Sequence, residues 1–217
     1  MKIKLIIFDL DGTLVDSSID INNALNYAIE PYDLQKLTVE KTISLIGEGL
    51  TKLVERLLGE DRKDILPKVL KRFIDHYSAH LTDHTKAYPG VRETLEGLSG
   101  YKKAVISNKR EFLSKRLLED LDLAVYFDSI LGSDSAGEKK PSPKPLLKVM
   151  EILSCSPDET LIVGDSNFDI EAGKAAGIKA IAVSYGYKKI EILKDADHII
   201  DDMRELPAKL DEINSKT

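Results

Sequence analysis

The sequence predicts an α/β fold, a doubly wound parallel sheet that carries an all-helical insert. Three observations lead to this prediction. Short apolar runs rich in β-branched residues alternate with helical patterns, about 95 residues separate the first run from the second, and that interval is helical in pattern throughout. The 217 residues are enough for one domain of this class with a smaller insert.

The first apolar run, residues 3–8 (IKLIIF), stops at Asp9 and is typical of a parallel strand buried on both faces. Similar runs predict the other strands, at residues 103–107, 127–131, 160–164, 179–183 and 197–200. Helical patterns lie between them, at residues 90–98, 110–121, 143–153, 167–176 and 203–213. This alternation predicts a Rossmann-like core with helices on both faces of the sheet.

The interval between the first two strands is too long for one crossover helix, which needs roughly 30 residues for the whole unit. Its helical patterns lie at residues 17–30, 38–46, 49–59 and 62–81. In the third of these, apolar residues recur at helical spacing, at Leu50, Leu53, Val54, Leu57 and Leu58. We therefore expect a helical subdomain at residues 17–84 and a core formed by residues 1–16 and 85–217.

Composition narrows the class of partner. The 31 basic and 37 acidic residues give a net charge of −6 with both signs interspersed, which predicts no binding to nucleic acid or membrane. A single cysteine, Cys155, cannot form an internal disulfide, and the apolar run at residues 2–8 is too short for a signal peptide or a membrane span. We expect a cytoplasmic protein, a monomer or homodimer, that acts on a small soluble molecule.

Polar residues collect where the predicted strands end, which is where open parallel sheets bind their ligands. The four sets are Asp9-x-Asp11-Gly12-Thr13 after the first strand, Ser107-Asn108-Lys109 after the second, Lys140 after the third, and Gly164-Asp165 with Asp169 after the fourth. Each set alone has an ordinary structural interpretation as a turn or a helix cap. Their convergence at one edge is the informative feature.

Converging carboxylates repel one another unless cations balance them. A divalent metal together with Lys140 would do so, and oxygen ligands favour Mg²⁺, which completes its coordination with water and substrate phosphate oxygens. The Ser107 hydroxyl, nearby backbone N–H groups and Lys140 could then bind the remaining phosphate oxygens. The sequence therefore predicts a Mg²⁺ site that binds a phosphorylated metabolite.

The four motifs, in this order and on these strands, resemble those of the haloacid dehalogenase-like hydrolase superfamily. The resemblance spans nearly the whole chain, and the helical insert is similar to the cap of that superfamily. An aspartate at the position of Asp11 is what its phosphatases and phosphomutases carry, whereas dehalogenases have tyrosine there. The resemblance implies a phosphatase with an aspartyl-phosphate intermediate.

The same resemblance implies a role for each motif residue. Asp9 would attack phosphorus, and Asp11 would first protonate the leaving oxygen and later deprotonate the hydrolytic water. The implied metal ligands are Asp9, Asp165 and Asp11, the last through its backbone carbonyl. The implied phosphate-binding residues are Ser107, Asn108 and Lys140. Asp169 would steady a metal-bound water or Lys140, and Thr13 would brace the turn or Asp11.

The insert supplies further expectations. Gly47-Glu48-Gly49 is the expected specificity loop between two helices, and residues 46–56 resemble phosphoglycolate phosphatases, which implies 2-phosphoglycolate as the substrate. Lys52 and Arg56 could bind its carboxylate, although solvated side chains are the more ordinary interpretation. His76, His80 and His84 would share one face if their helix continues, as a metal site or, more simply, a polar surface.

Alternatives remain open. A phosphomutase of the β-phosphoglucomutase type or a pyrophosphatase would use the same core, although the cap lacks the histidine expected soon after the first motif of such a mutase. A signalling receiver domain also has an acceptor aspartate, but on its third strand and without a helical insert of this size.

Overall fold

The computed structural model describes residues 2–215 and confirms the α/β class. The strands are β1 (Leu5–Phe8), β2 (Val15–Asp16), β3 (Lys86–Ala87), β4 (Lys102–Ile106), β5 (Ser129–Leu131), β6 (Thr160–Gly164), β7 (Lys179–Val183) and β8 (His198–Ile200). Six of them form one parallel sheet in the order β5-β4-β1-β6-β7-β8, and the short β2 and β3 pair with each other.

Strand β1 lies in the middle of this sheet and all four of its residues are buried. Leu5 lies opposite Lys102 of β4 on one side and opposite Thr160 of β6 on the other. The β1 run is apolar throughout, rather than alternating, because helices cover both faces of the sheet. The residues after β1, β4 and β6 therefore emerge side by side.

The helices are α1 (Ser18–Ile29), α2 (Val39–Leu45), α3 (Leu50–Leu58), α4 (Leu66–Ala79), α5 (Val91–Gly97), α6 (Glu111–Asp120), α7 (Lys144–Ile152), α8 (Asn167–Ala176) and α9 (Leu206–Ser215). Apolar residues of α7 and α8 pack on alternate strand residues, among them Leu5, Ile7 and Ile162, in one buried cluster. The intervening residues, such as Ile6 and Phe8, are also buried and point to the opposite face.

The chain divides into two compact units, one made of the residues up to 16 and from 87 onward, the other of residues 17–86. The first contains the large sheet with α5 to α9, and the second contains α1 to α4. Within the second unit, α1 packs on α2 and α4, and α3 packs on α4. Within residues 2–215, no helix is long and apolar enough to cross a membrane.

The predicted helix at 62–81 differs most from the structure. Residues Glu60–Ile65 form a 3₁₀ segment, and α4 begins only at Leu66, with a proline in its first turn. The helix ends at Ala79, since the backbone of His80 has left the helical region. Similarly, the segment predicted as helix from residue 203 begins with a 3₁₀ turn before α9.

Candidate active site

The motif residues gather at one edge of the large sheet. Asp9 follows β1, Ser107 follows β4 and Asp165 follows β6, and these three strands are neighbours. Asp9, Asp165 and Asp169 are all buried. The topology thus places side chains that are distant in sequence on adjacent strand ends.

Lys140 is the centre of the hydrogen bonds at this edge. Its ammonium group donates to Asp9 Oδ1 at 2.7 Å and to Asp169 Oδ1 at 2.6 Å. The Lys140 side chain is only 2% exposed. A lysine this deeply buried is stable only when paired, so the two carboxylates and the ammonium group depend on one another.

Burial raises the pKa of Asp9 to about 7, although the adjacent Lys140 ammonium group acts in the opposite direction. Burial also raises the pKa of Asp165 well above its ordinary value, and the charges of Asp9 and Asp169 add to the effect. Burial alone would lower the pKa of Lys140, but Asp169 and Asp9 outweigh it and raise that pKa. Burial therefore favours the protonated forms of these two carboxyl groups unless a further cation compensates their charge.

Within residues 2–215, Asp9, Asp165 and Asp169 are the group of acidic, histidine or cysteine side chains that could hold a metal ion. One ligand oxygen from each lies within 4.8 Å of the other two. When all three carboxyl groups are ionised, they and the Lys140 ammonium group sum to −2, which a divalent cation would cancel. Oxygen ligands of this kind fit a hard cation such as Mg²⁺.

Asp11 lies outside this group. Its Oδ1 accepts a hydrogen bond from the Lys109 ammonium group at 2.6 Å, and both side chains are nearly buried. Its carboxylate is thus held by a lysine and is not one of the three clustered side chains. Ligation through its backbone carbonyl stays a prediction. Lys109 directly follows the second motif, but the sequence analysis gave it no role.

Gly12 makes the sharp turn that the sequence predicts. Its φ is +91°, and a Cβ atom there would lie 2.3 Å from Oδ2 of Asp165. Only glycine allows the loop to approach this carboxylate so closely. The hydroxyl of Thr13, however, makes no hydrogen bond within the part of the chain that the structure describes, so the expected bracing by this side chain is not found. The Thr13 carbonyl instead accepts from the hydroxyl of Tyr185.

A loop that the sequence analysis missed closes over Asp165. The backbone N–H of Tyr187 donates to Asp165 Oδ2 at 2.6 Å, and the Tyr187 hydroxyl donates to Asp16 at 3.1 Å. A Cβ atom on Gly186 would lie 2.3 Å from Cβ of Asp165 and 2.5 Å from the carbonyl oxygen of Gly12. The position of this loop could have been predicted, because it follows β7 and so lies at the same edge of the sheet as the motif residues.

Ser107 and Asn108 are both buried at the end of β4. The Ser107 hydroxyl accepts from the backbone N–H of Lys109 at 3.1 Å. The amide nitrogen of Asn108 donates to the carbonyl of Lys140 at 2.9 Å, and so holds the Lys140 segment against β4. The Asn108 side chain thus has a structural contact in addition to its predicted binding of phosphate.

Asp169 has two functions in the structure. While its Oδ1 accepts from Lys140, its Oδ2 accepts from the hydroxyl and the backbone N–H of Ser166. This is the capping box at the start of α8 that the Ser166-x-x-Asp169 spacing allows. The same carboxylate therefore starts a helix and orients the buried lysine.

In the helical unit, Gly47-Glu48-Gly49 lies between α2 and α3, as predicted for the specificity loop. Glu48 forms an ion pair with Arg56, and Lys52 pairs with Glu55 at 2.7 Å. Both basic side chains are about half exposed, at 53% for Lys52 and 52% for Arg56.

The three histidines of that unit do not share one helix face, since α4 ends before His84. The rings of His76 and His80 stack at 4.4 Å, and His80 Nδ1 lies 2.8 Å from Asp83. The backbone N–H of His84 instead binds Asp20. The condition for a shared face, a helix that continues as far as His84, is therefore not met.

Two kinds of comparison relate this arrangement to known proteins. The chain is 44% identical, over 86% of its length and 87% of the relative, to a phosphoglycolate phosphatase of Aquifex aeolicus. It is 35% identical, over 95% of its length and 94% of the relative, to a candidate pyrophosphatase, PpaX, of Caldanaerobacter subterraneus. The crystal structure of a predicted phosphoglycolate phosphatase from Haemophilus somnus superposes with a TM-score of 0.90 at 30% identity, covering 96% of this chain and 98% of that one.

The family model for haloacid dehalogenase-like hydrolases matches residues 6–183, which include all four motifs. The buried Asp9–Lys140–Asp169 arrangement and the relatives lead to the same assignment: the chain belongs to the haloacid dehalogenase-like hydrolase family.

Proposed function

We propose that the substrate of this phosphatase is a small phosphomonoester, 2-phosphoglycolate first, and that hydrolysis depends on Mg²⁺ and proceeds through an aspartyl-phosphate on Asp9. The residues up to 16 and from 87 onward would form the catalytic core, and residues 17–86 the cap that selects the leaving group. The observation that carries the proposal is the buried pairing of Asp9 with Lys140 beside Asp165 and Asp169.

In the proposed first step, an oxygen of the Asp9 carboxylate attacks phosphorus as the bond to the leaving oxygen breaks. Lys140 holds this carboxylate by its Oδ1, which fixes the direction of the attack. The Ser107 hydroxyl and the Lys140 ammonium group would bind phosphoryl oxygens as negative charge develops on them. Water then attacks the aspartyl-phosphate, which regenerates Asp9 and releases phosphate.

Asp11 lies two residues after Asp9 in the sequence and fits the role of general acid and base. Its carboxylate is held by Lys109 and is not one of the three clustered carboxylates. It would give a proton to the leaving oxygen in the first step and take one from water in the second. The two aspartates of the first motif are thus separated by their partners, which supports separate tasks for them.

Asp9 and Asp165 would hold Mg²⁺ through their carboxylates. Asp169, next to them, would steady a metal-bound water or Lys140. When bound, the cation would neutralise phosphoryl oxygens and lower the repulsion between the substrate and the carboxylates. The Tyr187 N–H fixes one oxygen of Asp165, which orients the carboxylate without neutralising it. The sum of charges given above supports a divalent ion over a monovalent one.

The choice of 2-phosphoglycolate follows relatives named phosphoglycolate phosphatase, at 44% and 41% identity over most of the chain. Pyrophosphate is a second candidate, because a relative at 35% identity is named as a candidate pyrophosphatase. The core chemistry is the same for both, so the leaving group distinguishes them. We also propose that the protein acts in the cytoplasm, as a monomer or homodimer, without nucleic acid or membrane partners.

A panel of phosphate compounds tests the proposal. Phosphate release would be measured from 2-phosphoglycolate, pyrophosphate, a hexose phosphate and p-nitrophenyl phosphate, with Mg²⁺ and with a chelator. We expect the highest kcat/KM for 2-phosphoglycolate and no turnover with the chelator. A preference for pyrophosphate, or conversion of the hexose phosphate to an isomer without phosphate release, would reject the proposed substrate.

A further inference from the structure

Lys109 forms an ion pair with Asp11, the proposed acid and base. Its ammonium group lies 2.6 Å from Asp11 Oδ1, and its side chain is 7% exposed. An ion pair so far removed from water gains little stability over an apolar pair of similar size. The presence of a buried cation at this point therefore calls for an explanation beyond stability.

The backbone of Lys109 is fixed at both of its polar groups. Its N–H donates to the Ser107 hydroxyl at 3.1 Å, and its carbonyl accepts from the N–H of Ser133 at 2.9 Å. Ser107 in turn donates its N–H to Leu131 of the neighbouring strand β5. The lysine thus projects from a rigid strand end, which is how proteins hold a charge at a defined position.

The position of Lys109 relates it to the leaving group. If Asp11 gives its proton to the leaving oxygen, that oxygen lies one hydrogen bond from the Asp11 carboxylate. Two hydrogen-bond lengths and the width of the carboxylate then place the leaving oxygen no more than about 7.5 Å from the Lys109 ammonium group. In 2-phosphoglycolate, a single methylene separates this oxygen from the carboxylate carbon, so the carboxylate falls within reach of the same lysine.

Lys140, Lys52 and Arg56 are less suited to this carboxylate. Lys140 already donates to two carboxylates on the phosphoryl side of Asp9. Lys52 and Arg56 are about half exposed and paired with glutamates of their own unit. Water screens such exposed charges, whereas a nearly buried ammonium group interacts strongly with an anion.

We propose that Lys109 determines specificity for a carboxylated leaving group. Its ammonium group would bind the substrate carboxylate and keep its contact with Asp11. This inference rests on the proposed function, because it takes Asp11 as the group next to the leaving oxygen. If the proposal is correct, a residue of the core contributes to the choice of a carboxylated substrate, in addition to residues of the cap. The proposal also predicts a lower kcat/KM for phosphate esters that have no carboxylate.

A matched pair of substrates tests the proposal. 2-Phosphoglycolate and ethyl phosphate have leaving groups of two carbons and differ in the carboxylate. Steady-state phosphate release with Mg²⁺ gives the ratio of their kcat/KM values for the wild type and for Lys109→Met. We expect the ratio to fall about 10- to 100-fold in Lys109→Met, the usual loss for a hydrogen bond to a charged group. Lys115→Met, which removes an exposed lysine paired with Glu111, should leave the ratio unchanged.

The ratio separates recognition from positioning. If Lys109 only orients Asp11, both substrates lose activity equally and the ratio stays at the wild-type value, which overturns the proposal. Lys109→Arg keeps the charge and should keep most of the ratio. If Lys109→Met does not fold, the same comparison is made with Lys109→Gln.

Wild-type enzyme supplies an independent check, since equal kcat/KM values for the two substrates also overturn the proposal. The proposed function fails in a different way. In that case the wild type hydrolyses neither 2-phosphoglycolate nor ethyl phosphate but releases phosphate from another compound of the panel.

Discussion

At the scale of single residues, Asp9 shows how burial prepares a carboxylate for chemistry. It is 8% exposed, and burial raises its pKa to about 7 even with the Lys140 ammonium group at 2.7 Å. A fixed, poorly solvated carboxylate is a better nucleophile than one surrounded by water. The sequence places this residue at the end of β1, and Lys140 reaches it from 131 positions away.

Gly186 gives a prediction at this scale. A Cβ atom there would come within 2.5 Å of the Gly12 carbonyl and still closer to Asp165, so Gly186→Ala must displace the loop or the carboxylate. We expect a loss of about 1–3 kcal/mol in the free energy of unfolding. We also expect that more Mg²⁺ is needed for half-maximal activity. Urea titrations and Mg²⁺ titrations measure the two effects.

Gly100→Ala is the matched control, because a Cβ atom at Gly100 meets nothing within 4 Å. It should change neither quantity. An unchanged Mg²⁺ requirement in Gly186→Ala would show that the loop after β7 does not position Asp165.

Single residues also mark the limit of prediction from sequence. Asp9, Asp165 and Lys140 could be found because each follows an apolar strand, and parallel strands end at one edge. The contact of Lys109 with Asp11 and that of the Tyr187 N–H with Asp165 could not, because each joins distant segments through a side-chain rotamer or a loop conformation. The local pattern of the sequence contains neither kind of information.

At the scale of elements, helix α8 links folding to the site. Its capping box joins Ser166 to Asp169, and Asp169 also receives Lys140. A second capping box, Ser156 with Glu159, opens a 3₁₀ segment before β6, at the opposite end of that strand from Asp165. Both boxes join a serine to an acidic residue three positions later, but only the box of α8 contacts Lys140. The Ser156 box therefore serves as a control for the Ser166 box.

We expect Ser166→Ala and Ser156→Ala each to lose about 1 kcal/mol of stability, the usual cost of losing a helix cap. Only Ser166→Ala should also lower kcat, about 10-fold, because Asp169 then loses a contact that orients Lys140. Thermal unfolding and steady-state kinetics on both variants make the test. An equal fall of kcat in Ser156→Ala would mean that the effect is general and not carried by Asp169.

The elements were predicted well where the pattern is strong. Strands β6 and β7 begin and end at the predicted residues, and α8 does as well. The two-residue strands β2 and β3 were missed because so short a pairing has no periodicity. The end of α4 was placed too late, since no glycine or proline follows Ala79 to mark it.

At the scale of the whole molecule, protons and metal compete for the clustered carboxylates. The pKa values of Asp9 and Asp165 are raised above the ordinary value of 3.8, to about 7 for Asp9. A raised carboxyl pKa means that the metal-free folded state is destabilised as pH rises from about 4 to about 7, because it must then hold unfavourable charge. A bound cation reverses this effect.

We therefore expect Mg²⁺ to raise Tm more at pH 8 than at pH 6, since fewer protons compete at the higher pH. Thermal unfolding with and without Mg²⁺ at the two pH values is the measurement. Asp165→Asn should abolish the increase at both, whereas Asp195→Asn, an exposed aspartate paired with Lys174, should retain it. A larger increase at pH 6 would contradict the assignment of these carboxylates to the metal.

The central claim is that Asp9 is the nucleophile of a Mg²⁺-dependent phosphatase. The most direct measurement is phosphate release from 2-phosphoglycolate by the wild type, Asp9→Asn and Asp195→Asn, each shown to be folded by circular dichroism. We predict a fall of at least about 1,000-fold in kcat for Asp9→Asn, because an amide cannot form the phosphoryl intermediate, and wild-type turnover for Asp195→Asn. Undiminished turnover in Asp9→Asn would contradict the account.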